Sequence, residues 1–179
     1  MTSGSALGLL VGAALTGWWA SRLSKVASFQ SAYRAWAARV GGRVCTHGQA
    51  SAWLDRYWAG EFMADLAVSG FGARITLEVQ GHPVLCVVDP IQWDAQHSAT
   101  VQLYVATEWT SQLPPKLNGY GSEQLRALGF IPNENEGGVL VRGGSDAIQR
   151  FRQPGQIATL SELVTSAIRL VESHEAARR

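Results

Sequence analysis

The uncharged stretch SGSALGLLVGAALTGWWA, residues 3–20, sets the frame for the whole chain, and Arg22 and Lys25 follow it at once. At about 1.5 Å per residue it makes a helix about 27 Å long, close to the ~30 Å hydrocarbon core of a bilayer. Ser21 and Leu23 extend it, and Arg22 can snorkel. Trp18 and Trp19 then fall at one end, where indoles sit in a membrane-interface belt together with Arg22 and Lys25. Gly4, Gly8 and Gly12 recur every fourth position, and Thr16 and Ala20 continue that row. One ridge of the helix is therefore nearly bare backbone, the surface along which a second transmembrane helix packs closely. A secretory signal peptide has a similar apolar core, but no basic residue precedes this one, and cleavage after Ala20 would set bulky Trp18 where a small side chain is needed. A buried helix is the other competing reading of so short a run. The expectation is a single transmembrane anchor over residues 1–21 that docks on another span through Gly4, Gly8, Gly12, Thr16 and Ala20.

Charge is distributed unevenly around this stretch. The 179 residues carry a net charge of +1, yet five of the basic residues (Arg22, Lys25, Arg34, Arg39, Arg43) and none of the acids precede Asp55. By the positive-inside tendency this predicts a bacterial-type inner-membrane protein, with its amino terminus outside and its following domain cytoplasmic. The two cysteines, Cys45 and Cys86, form no disulfide framework and suit a reducing compartment.

Residues 22–42 read as a basic juxtamembrane helix. Val26, Phe29, Tyr33, Trp36 and Val40 are spaced three, four, three, four, a narrow apolar seam. Such a helix lies on an anionic lipid surface or packs on the domain behind it, and Gly41-Gly42 ends it. Residues 43–179 read as an α+β domain in two layers, an antiparallel sheet of about four strands covered by helices. QASAWLDRYWA (49–59) has helical spacing. The period changes to two at Phe62, Ala64, Leu66 and Val68, again at Ile75, Leu77 and Val79, and again at Val101, Leu103 and Val105. VLCVVD (84–89) carries a continuous apolar run, Val84 to Val88, as a central strand does. Further on, Ser122 and Ser145 are placed to cap short helices, IPNENEGG (131–138) reads as a polar loop, and 139–141 as a short edge strand. Thr159 and Glu162 have capping-box spacing, and Ile157, Leu160, Val164, Ala167, Ile168 and Val171 trace one apolar face of the last helix.

Chemistry-bearing patterns are sparse. Cys45 and His47 place two metal-ligating types together, but a closed zinc site takes four ligands and no second pair lies near. Cys45 could pair with a histidine as a nucleophile, although a buried inert cysteine is the commoner case. Gly143-Gly144-Ser145 has the shape of a phosphate-holding turn without the spacing of either phosphate-loop motif. The basic residues show no nucleic-acid recognition pattern. The anchor has no histidine for a haem or chlorophyll metal, so no cofactor is expected on its own ligands, with lipids or neighbouring pigments its only such company. The expected function is a non-catalytic accessory subunit. It would dock by its single span on integral membrane subunits of an energy-transducing complex, photosynthetic reaction centre-antenna or respiratory, in preference to self-dimerising. The alternative is a membrane-tethered enzyme or small-ligand-binding domain.

Overall fold

A computed structural model describes the backbone of residues 3–58, 66–68, 70, 72–90, 99–107, 120–135, 138–143 and 145–178. Helix α1 (Ser3–Arg39) runs for 37 residues without a break, about 55 Å, through both the expected anchor and the expected juxtamembrane helix. It stops where Gly41 takes φ +72°, with Gly41 N donating to the Ala38 carbonyl and Gly42 N to the Ala37 carbonyl. This is a Schellman termination, open to glycine because a Cβ is costly at that φ.

The chain then builds strand β1 (Arg43–Cys45), helix α2 (His47–Tyr57), β2 (Ala73–Val79), β3 (His82–Asp89), β4 (Thr100–Ala106), α3 (Tyr120–Ala127), β5 (Phe130–Asn135), β6 (Gly138–Gly143) and α4 (Ser145–Arg150). A 3₁₀ turn (Pro154–Ala158) runs directly into α5 (Thr159–Arg178). The sheet is antiparallel throughout, in the order β1-β2-β3-β4-β6-β5. Gln80 and Gly81, both at positive φ, close the β2–β3 hairpin as a tight two-residue turn. Pro83 sits in β3 before the pairing with β4 starts at Val84, so its missing N–H breaks no ladder bond on that side.

Helices cover both faces of the sheet. On the first face, Ile75, Val84, Cys86, Val88, Leu103 and Val141 meet α1, α3, α4 and α5 in the larger core. Leu85, Val87, Tyr104 and Leu140 point the other way, onto Trp53 and Trp58 at α2 and Leu66. From Val84 to Val88 β3 alternates between these two cores, which is why that run is apolar at every position. On the second face the Tyr104 hydroxyl donates to Gln102 Oε1 (2.6 Å), and Gln102 Nε2 donates to Thr100 Oγ1 (2.9 Å).

Several expectations are overturned. Among the described residues no helix is long and apolar enough to cross a membrane. The physical reason lies in residues 3–20 themselves, whose glycines, serines, threonine and tryptophans dilute the hydropathy of the intervening leucines. The transmembrane anchor, the single-pass topology, the inner-membrane placement and the interfacial belt at Trp18, Trp19, Arg22 and Lys25 go with it, and the positive-inside argument has no span to orient. The sheet has six strands instead of about four, because β1, β5 and a full-length β6 join β2, β3 and β4, and the helices lie on both faces instead of one. The stretch read as a polar loop contains β5, and 139–141 lies within β6, between β4 and β5 rather than at the edge. The strand expected across Phe62 and Ala64 lies outside the described residues; 66–68 within it form no strand.

Candidate interaction surface

The seam fixes how α1 meets the domain. Phe29, Tyr33 and Trp36 are buried, and Val26 and Val40 pack partly against the same core. Phe29 and Tyr33 stack at 6.2 Å. Trp36 Nε1 donates to Ser161 Oγ of α5 (2.8 Å), and Gln30 Nε2 donates to the Gly70 carbonyl (3.0 Å). Of the two destinations open to this seam, lipid surface or sheet, it takes the sheet.

Before Val26 the described side chains turn outward. From Thr16 to Lys25 every residue whose side chain is described is exposed. Trp18 is 53 % exposed, Trp19 56 % and Leu23 62 %. The two indoles sit edge to face, 5.5 Å apart, and Leu23 follows Trp19 by one helical turn on the same face. Thr16 and Ala20 are exposed beside them, and a Cβ on Gly17 would meet nothing within 4 Å. Gly4, Gly8 and Gly12 lie in the same helix, while their surroundings and the Arg22 side chain are outside the described residues. Residues 16–25 thus form an exposed helical arm about 15 Å long, ahead of the packed part of α1.

The chemistry-bearing pairs resolve into local structure. Thr46, between Cys45 and His47, caps α2: its side chain accepts from Gln49 N (3.3 Å) and Gln49 Oε1 accepts from Thr46 N (2.9 Å). Burial raises the Cys45 thiol above its ordinary value, against the opposing pull of Arg74. Burial alone pushes Cys86 up to about 12, so neither thiol is primed as a nucleophile. No cluster of three or more metal-ligating side chains forms among the described residues. A Cβ on Gly143 would lie 3.1 Å from Phe130 Cε1 and 3.3 Å from Ala147 Cβ, so close packing explains that glycine, and α4 is only six residues long.

The sequence reading missed a groove. Between α3 and α5 lies a cavity of about 520 Å³, walled by Gln124 and Leu128 on one side and Glu162, Thr165, Ser166 and Arg169 on the other. The four α5 residues recur at i, i+3, i+4 and i+7, a polar stripe beside the helix's apolar face. That spacing was legible; that α3 stands opposite it was not. No family model matches the chain, and neither the curated proteins nor the solved structures compared with it give a match.

Proposed function

We propose that the protein is an accessory subunit of a larger protein assembly, joined to it through the α1 arm. One observation carries this reading: Trp18, Trp19 and Leu23 stand more than half exposed together on a stretch of α1 whose described side chains are all exposed. Large apolar side chains held in water gain about 25 cal/mol per Å² when a partner covers them, and tryptophans are the commonest anchors of protein interfaces. The partner is a protein offering an apolar groove to a helix, the mode in which anchors recur at helical spacing. The cationic residues at the end of the arm and after it (Lys25, Arg34, Arg39 and Arg43, all exposed) favour acidic residues at the mouth of that groove.

Site-specific photo-crosslinking in cells of the source organism tests the reading. A photoreactive residue at Trp19 or Leu23 should trap one partner on one contiguous surface, while the same residue at exposed Arg56 on α2 should not. Trp18→Ala with Trp19→Ala should weaken the crosslink roughly tenfold or more, given ~1–2 kcal/mol per buried anchor. Equal trapping from arm and control positions refutes the proposal, and so does trapping of only a second copy of this chain. The small-ligand alternative is favoured by one separate observation, the groove between α3 and α5.

A further inference from the structure

We infer that the α3–α5 groove binds a small zwitterion whose ammonium and carboxylate are separated by an apolar chain. The apolar face of α5 is spent on the sheet, so the residues flanking it would ordinarily face water. Here they wall a cavity of about 520 Å³, within the range of small-molecule sites. Ser166, although polar, is only 7 % exposed. Across from it, Gln124 Oε1 is cut off from solvent and has no hydrogen-bond donor. An acceptor left unpaired this way carries a desolvation cost that is relieved when the Gln124 side chain turns into the groove and meets a ligand N–H.

The charges select the rest of the ligand. Glu162 and Arg169, both lining the groove, stand seven residues apart on α5, about 10 Å along its axis. Leu128 and Ala127 of α3 supply apolar wall in the same cavity. A phosphate or a plain fatty acid would meet Arg169 but be repelled by Glu162. A bare cation would find one carboxylate and be repelled by Arg169. A molecule with an ammonium at one end, a carboxylate at the other and methylenes between satisfies both charges and the apolar wall. ω-Amino acids and short peptides with an apolar middle belong to this class.

ω-Aminooctanoate, whose two charges an extended chain holds about two helical turns apart, is the probe. It is titrated into the isotope-labelled 179-residue chain and followed by backbone amide shifts, with octanoate and glycine as controls at matched ionic strength. Saturable shifts confined to α3 and α5, centred on Gln124, Leu128, Thr165 and Arg169, are expected, with a dissociation constant on the order of millimolar for so small a ligand. Glu162→Gln and Arg169→Gln are exposed changes that leave the fold intact. Each should weaken binding about three- to fivefold, the value of one exposed ion pair. The inference is overturned if no shift saturates on these helices, if octanoate or glycine binds as well, or if the double variant binds like the unaltered chain. None of these outcomes bears on the α1 arm, whose test is separate.

Discussion

Replacing Tyr33 by Phe should stabilise this protein. Tyr33 is fully buried in the larger core, stacked on Phe29, and its hydroxyl has no hydrogen-bond partner. By mutational data, burying a hydroxyl without a bond costs about 1–3 kcal/mol. Phe keeps the ring, its stacking and its buried area. It leaves behind a void of about 10 Å³, worth roughly 0.2 kcal/mol at the cost per volume seen in cores. The net expectation is a gain of about 1–3 kcal/mol, which for a chain of this length raises Tm by about 2–11 °C. Thermal and urea melts of both proteins at neutral pH measure it. Alkaline pH supplies a second reading from the same residue. Burial chiefly, then Cys86 and Asp89, hold the Tyr33 phenol far above its ordinary range. A group whose folded pKa is raised contributes its stability below the unfolded value, near 10 for tyrosine, and loses it as pH climbs past that. The unaltered protein should therefore lose up to about 1.4 kcal/mol per pH unit above pH ~10 from this group, and Tyr33→Phe should not. Cys86 adds a loss of the same sign in both proteins, from its ordinary value of 9.0 up to about 12. A lower Tm for Tyr33→Phe at neutral pH would mean that the hydroxyl is bonded, and would refute the reasoning. So would a gap between the two proteins that fails to widen in alkali.

The remaining expectations concern α2 and the thiols. Thr46→Ala removes the side-chain acceptor of the α2 capping box and should cost about 1 kcal/mol, read as a lower urea midpoint at unchanged slope. With a thiol-specific disulfide reagent at mildly alkaline pH, half-buried Cys45 should react slowly and buried Cys86 only after denaturant is added. Rapid modification of both in the native protein would contradict the packing of β3.

How much was legible beforehand follows from where each element buries its side chains. β2 showed a period of two and α5 a helical apolar stripe because each alternates between a core and a more exposed side, and β4 showed its period because its second buried face carries the polar Gln102 and Tyr104. β3 read as continuously apolar because it faces two cores. β5 escaped detection for the opposite reason. Its FIPNEN sequence is polar and contains Pro132, both tolerable only because β5 pairs on one side, with β6. β1, three residues long, is too short to carry a period at all.

From its residues alone the chain determines the central strands β2, β3 and β4, the apolar face of α5, the seam of α1 and the glycine that ends that helix. Each is written locally, in the spacing of apolar side chains or in a single backbone angle. Only the assembled fold shows that the seam lies on the sheet, that β1 and β5 complete the sheet's edges, and that α3 stands across a groove from the polar stripe of α5. These are relations between segments far apart in the chain, and no local spacing encodes them. Residues 3–20 belong with the first group: a run of leucines thinned by glycine and serine has the length of a span without its hydropathy, and that deficit is written in the residues themselves.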